Sequence, residues 1–131
     1  MKIALGLGCD RGTPATTIAR CIREALTQAG ASGADVQAVA SIDLKADEIG
    51  LAAVARANGW TIRFYPAAEL ARVAVPNPSE TVRRYTGTPS VSEAAALLVA
   101  GADPCHLIIE KHKLRGPDGR NATVSIARIP Q

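Results

Sequence analysis

Residues 2–8, Lys-Ile-Ala-Leu-Gly-Leu-Gly, form an apolar run with no polar alternation, and such a run beside a glycine-rich turn marks a strand covered on both faces. A sheet built on that strand needs helices on each side. The next residues supply the first: Thr13 and Pro14 suit an N-cap and a first helical position, Ile18, Ile22, Leu26 and Ala29 recur at helical spacing, and Gly30 is a stop. Residues 36–42 read as a second buried strand. Leu51, Val54 and Ala55, following Asp47 and Glu48, predict a helix that ends at Asn58-Gly59. The opening is thus β-α-β-α.

Residues 61–65 predict a short third strand, leading through Pro66 into a helical turn at 67–70. Pro76-Asn77-Pro78 breaks the chain, with Asn77 expected to cap a helix whose first residue is Pro78. Ser90-Val91-Ser92-Glu93 has the spacing of a capping box, and Val91, Ala94, Leu97 and Leu98 then share one face as far as Gly101. Residues 105–111 and 123–129 predict strands joined as a hairpin by the polar loop 114–121. The expected fold is a single-domain three-layer α/β/α sandwich over residues 1–131, its sheet mostly parallel with an antiparallel C-terminal edge strand.

Composition narrows the function classes. Ala supplies 25 residues while Phe, Trp and Tyr total 4, so the chain lacks the aromatic platforms of single-stranded nucleic acid readers. The net charge of +3 is mild, but its sign is uneven: residues 31–55 hold one base against four acids, and residues 56–85 hold five bases against two acids. That distribution fits a small anionic ligand better than a polyanion. Cys9, Cys21 and Cys105 form no CxxC pair and no zinc-type spacing with histidine, which argues against a disulfide framework and a metal site. No stretch approaches a membrane span or a signal sequence, and a reducing cytoplasm is the expected compartment.

Several groups of residues bear on chemistry. Gly6, Gly8, Cys9, Arg11, Gly12 and Thr13 lie in a glycine-rich turn from strand to helix, spaced G-x-G-x-x-x-G. Three readings stand for it: an anion site at the helix N-terminus, a dinucleotide loop one residue longer than the usual fingerprint, or a tight turn and nothing more. Cys9 is read either as a thiolate favoured by the helix end or as a small half-buried residue. Ser41, Asp43, Lys45, Asp47 and Glu48 lie at the carboxyl end of the second strand, on the side where open α/β sheets bind ligands. Asp43 or Glu48 is the candidate general base, against the plainer reading of Asp47 and Glu48 as acids complementing a helix dipole. Ser79 and Glu80, and Ser90 and Glu93, open two helices as caps or ligand contacts. Lys111 and Lys113, two apart on one strand, share a face as a basic rim or as protection of an edge, with His106, Glu110 and His112 expected on the other.

Five stretches together resemble one family: residues 6–13, residues 40–48, Pro78-Ser79-Glu80-Thr81-Val82, residues 89–97, and residues 122–128, which include Thr123. In this order, across essentially the whole chain, they are similar to the CobE family of cobalamin biosynthesis, which includes the C-terminal domain of CbiG, the cobalt-precorrin-5A hydrolase. The resemblance implies an α/β/α domain that binds or delivers a precorrin or corrinoid intermediate, with other corrin-pathway enzymes as further partners. It implies as an alternative the opening of a ring-A lactone with loss of a two-carbon fragment. The chain is expected to lack the N-terminal domain of the two-domain relatives, which favours binding over complete hydrolysis. A nucleotide-phosphate module on the glycine loop is the third expectation. No cofactor, metal, nucleic acid or membrane partner is expected, and His106 and His112 are read as strand histidines rather than cobalt ligands.

Overall fold

The computed structural model describes residues 1–87 and 90–131. In chain order the elements are β1 (Ile3–Cys9), α1 (Ala15–Ala29), β2 (Val36–Ile42), α2 (Ile49–Asn58), β3 (Ile62–Tyr65), α3 (Ala67–Leu70), α4 (Glu80–Thr86), α5 (Val91–Ala100), β4 (Leu107–Arg115) and β5 (Asn121–Arg128). The five strands lie in the order β3-β2-β1-β5-β4. β1, β2 and β3 pair in parallel, β5 runs antiparallel to β1, and β4 runs antiparallel to β5. Four strands therefore point one way and β5 the other. Helices cover both faces, as the unbroken apolar run of β1 requires.

Alternation along β1 divides the core. Ile3, Leu5 and Leu7 are buried with Ile18, Ile22 and Leu26 of α1. Ala4 is buried with Ala96 and Leu97 of α5, and Gly6 on the same face lies so near that helix that a Cβ there would overlap the Ser92 carbonyl. Small residues on this face thus set the helix close against the sheet. α1 and α2 end as expected, at Gly30 and Gly59, both with the positive φ that glycine adopts without strain.

Five expectations need correction. The first is Thr13 as a cap: α1 starts at Ala15, with Pro14 at its N-cap. The last strand is antiparallel but does not lie at an edge: β5 sits between β1 and β4, with Ala122, Val124, Ser125, Ile126 and Ala127 all buried, and the charged β4 takes the edge. Asn77 caps no helix; α4 begins two residues later than expected, and Ser79 is its cap, accepting from the Val82 amide at 3.2 Å. Ser90 stands at the N-cap of α5 but makes no capping bond, because its hydroxyl donates to the Glu93 side chain at 2.6 Å instead. Finally, β4 starts at Leu107, and Cys105 and His106 belong to a 3₁₀ turn, Pro104–His106, before it. Pro89, which opens the fourth of the resembling stretches, lies outside the described residues.

Candidate functional site

A cleft of about 500 Å³ opens at the carboxyl end of β1. Its walls come from the turn after β1, the first residues of α5, the inward face of α4 and the two strands of the C-terminal hairpin. Gly8, Cys9, Arg11, Lys45, Ser90, Lys111, Lys113 and Thr123 all line it, so eight of the expected site residues meet in one place. Val82, Tyr85 and Val91 add an apolar wall, and Tyr85, 81% exposed, stands at the mouth. Gly8 matters here for its missing side chain: a Cβ would come within 2.5 Å of the Thr123 hydroxyl.

Beneath the cleft Glu93 is fully buried. It accepts from Ser90 at 2.6 Å and from the Asn77 amide at 2.9 Å, and the Lys111 ammonium lies 3.4 Å away. Asn77 also reaches Glu110 at 3.1 Å, and its carbonyl accepts from Lys111 at 3.5 Å. A buried carboxylate is tolerated only when paired and hydrogen-bonded, and this one is both. The register of β4 shifts between Ile109 and His112, where three steps along β4 match two along β5. That bulge brings the neighbours Glu110 and Lys111 to the same partner, Asn77, while His112 bonds Glu24 on α1 at 2.8 Å. The expected sharing of a face by Glu110 and His112 is therefore corrected.

The glycine-rich turn is occupied from within the chain. The Gly12 amide donates to Glu48 at 3.0 Å, and Arg11 lies 2.7 Å from Asp47 and 2.8 Å from Glu48 while donating to the Leu44 carbonyl at 2.7 Å. Glu48, 4% exposed, thus fills the position at which a bound anion was expected, and Arg11 clamps the loop after β1 to the loop after β2. On the other side Asp10 accepts from the backbone and side-chain amides of Asn121 at 2.7 and 3.0 Å. Burial pushes the Cys9 thiol up to about 11, with Lys45 opposing, so it stays protonated at neutral pH and the thiolate reading does not hold.

The remaining expected residues lie outside the cleft. Gly6 is under α5, and Ser41 is buried and donates to the Leu7 carbonyl at 2.7 Å. Thr13 is buried and donates to the Asp10 carbonyl, Asp43 is exposed in the 3₁₀ turn Asp43–Lys45, and Glu80 pairs with Arg83 at 3.5 Å. Sequence reasoning missed Asp10, Val82, Tyr85 and Asn121. The Pro-Asn-Pro break before α4 signalled a helix there but not the surface it would face.

The molecule is thus an open α/β/α sheet with a part-apolar cleft at its strand ends, lysines at the rim and its carboxylates internally paired. A family model described as "Cobalamin synthesis G C-terminus" matches residues 3–127, and the chain belongs to that family of cobalamin biosynthesis domains. It is 41% identical over 128 residues to "Cobalt-precorrin-5A hydrolase" of Priestia megaterium, covering 98% of this chain and 32% of that protein's length. It is also 41% identical over 111 residues to "Protein CobE" of a Sinorhizobium species, covering 83% of this chain and 71% of that protein. Among solved structures it is similar to that of CobE, a protein from the cobalamin biosynthetic pathway, with TM-score 0.80, 30% identity, and 99% and 95% of the two chains covered. A second, the cobalamin biosynthesis protein chiG of Agrobacterium tumefaciens, aligns with TM-score 0.69 at 32% identity over 98% and 99% of the two chains. The family resemblance and the α/β fold class read from the sequence are borne out, apart from the edge position expected for the last strand. Among the described residues no helix is long and apolar enough to cross a membrane.

Proposed function

We propose that the cleft binds a precorrin or corrinoid intermediate and that the protein holds or delivers it to other enzymes of the corrin pathway, acting in the cytoplasm as one domain over residues 1–131. The observation that carries this reading is the meeting of Lys45, Lys111 and Lys113 around an apolar wall of Val82, Tyr85 and Val91. Such an intermediate is a flat apolar macrocycle with carboxylates at its edge, and it needs both kinds of surface at once. Lys113 is exposed and Lys45 half-buried, whereas Lys111 also serves Glu93.

Incubation of the purified protein with a late precorrin, followed by absorption spectroscopy and an assay for acetaldehyde, tests the proposal. Saturable spectral change without acetaldehyde is the expected result. The Lys45→Ala, Lys113→Ala double variant should bind roughly tenfold more weakly, since two solvent-screened charge contacts of about 0.5–1 kcal/mol each approach the 1.4 kcal/mol of one decade. The loss should shrink at high salt. Lys111 is left intact because its removal would strand the buried Glu93.

The kinship with a cobalt-precorrin-5A hydrolase supports a second reading, lactone hydrolysis. Asp43 and Glu48, the acids expected as its base, do not line the cleft, and Glu48 is held by Arg11 and the Gly12 amide. Acetaldehyde release by the wild type, abolished in Asp43→Asn or Glu48→Gln, would establish it in place of the first. The nucleotide-phosphate reading loses its support because Glu48 holds the Gly12 amide.

A further inference from the structure

Among the described residues one group of three different metal-ligating side chains stands together outside the cleft: Asp103, Cys105 and His106. Cys105 and His106 lie in the 3₁₀ turn at the amino end of β4 and Asp103 caps it, whereas the cleft takes that strand from Lys111 onward. We propose that this turn is a surface site for a late divalent transition-metal ion of the zinc type, a reading independent of the corrinoid proposal.

The geometry supports coordination with little movement. Cys105 Sγ and His106 Nδ1 lie 3.6 Å apart, and Asp103 Oδ1 lies 2.7 Å from the sulfur and 2.8 Å from the nitrogen. Metal–ligand bonds of about 2.0–2.3 Å put tetrahedral ligand atoms roughly 3.3–3.6 Å apart. The sulfur–nitrogen edge already has that length. The other two edges are hydrogen bonds, and they open to it by under about 1 Å when an ion replaces the shared protons. Asp103 can make that adjustment, since its side chain is 67% exposed.

The backbone is fixed beneath the ligands. Pro104 restricts the turn, the His106 amide donates to the Asp103 carbonyl at 3.0 Å, and the Cys105 amide donates to the Asp103 side chain at 3.2 Å. On binding, the thiol proton leaves to solvent, and thiolate plus carboxylate balance the charge of the ion. A sulfur, nitrogen and oxygen set selects zinc, cobalt or nickel over magnesium or calcium, and the exposed side of the turn leaves the remaining coordination to water. The sequence shows no paired-cysteine spacing, and the signal for this site is the adjacency of Cys105 and His106, two and three residues after Asp103.

The test uses the intact chain without an affinity tag, stripped by a chelator and kept reduced with a phosphine. Zinc is titrated against a colorimetric chelator, and cobalt(II) serves as a spectroscopic probe. Stoichiometric uptake and a thiolate-to-cobalt charge-transfer band in the near ultraviolet are expected. Cys105→Ser should abolish the band, and Cys105→Ser, His106→Ala and Asp103→Asn should each weaken zinc binding by roughly tenfold or more. Absence of stoichiometric uptake by the wild type overturns the proposal, as does wild-type affinity in folded Cys105→Ser and His106→Ala. The spectral titration with a precorrin should be unchanged in all three variants.

Discussion

Gly6 and Gly8 are two residues apart on one strand and on one face, yet they answer to different demands. At Gly6 the obstacle to a side chain is backbone, the Ser92 carbonyl and the Ala96 amide of α5, so the helix itself would have to move. At Gly8 the obstacle is the Thr123 hydroxyl, the end of a side chain that rotates. Gly6→Ala should therefore cost roughly 3 kcal/mol of stability through overpacking. Gly8→Val should cost less than about 1 kcal/mol. Its branched side chain enters the cleft, however, and the affinity for a precorrin should fall by roughly tenfold or more, about 1.4 kcal/mol. Urea unfolding and spectral titration of the two variants check this. Equal affinity in a folded Gly8→Val protein would remove Gly8 from the binding surface.

At the scale of elements, Asn77 ties the strap before α4 to both α5 and β4. Asn77 reaches Glu93 and Glu110 across 16 and 33 residues of sequence, and its own carbonyl takes a bond from Lys111. Asn77→Ala leaves one oxygen of the fully buried Glu93 without its partner, so a loss of about 1–3 kcal/mol is expected. Amide exchange should accelerate in α4 more than in α1, whose apolar stripe is packed in the core. An unchanged urea midpoint would show that the Asn77 side-chain bonds contribute nothing to stability. The same residue explains what the sequence withheld. β2 and α2 were legible because their limits follow from local pattern and the glycine stop. Asn77 and Ser90 were misread as caps because a polar side chain near a helix start looks the same whether it bonds the next turn or a distant carboxylate. The place of β5 was partly legible: residues 122–127 carry no charge, whereas β4 carries Glu110, Lys111, Lys113 and Arg115, the pattern of an interior strand beside an edge. That Gly8 and the lysines gather at one cleft was legible because they fall at the ends of strands that share a sheet edge. The wall made by α4 was not, since nothing local says which way a short helix faces.

Across the whole molecule, charge ties the strand-end loops together and sets how stability depends on pH. Five carboxylates are held below their ordinary range: Glu24 by the His112 hydrogen bond, Asp35 by the Ser32 amide, Asp47 by Arg11, Asp103 by the Cys105 thiol and Asp118 by the Arg120 amide. A depressed folded value means that the unfolded chain takes up protons first as pH falls. The stability these groups contribute is present above the ordinary carboxylate values of 3.8 and 4.5 and is lost as pH falls below them toward the lower folded values. The alkaline side is governed by burial. Cys9 is raised to about 11 and Cys21 to about 12 from an ordinary 9.0, so the unfolded chain releases thiol protons that the folded chain keeps. Their contribution is intact below pH 9.0 and is lost as pH rises toward those folded values. Melting temperature against pH should therefore show a plateau between the two limbs. Lysine and tyrosine also titrate on the alkaline side, so the thiols are isolated by difference: a Cys9→Ser, Cys21→Ala double variant, lower in stability throughout because a core side chain has been trimmed, should fall less steeply above pH 9.0 than the wild type. Parallel alkaline limbs in the two proteins would mean that thiol burial does not set the upper limit of stability.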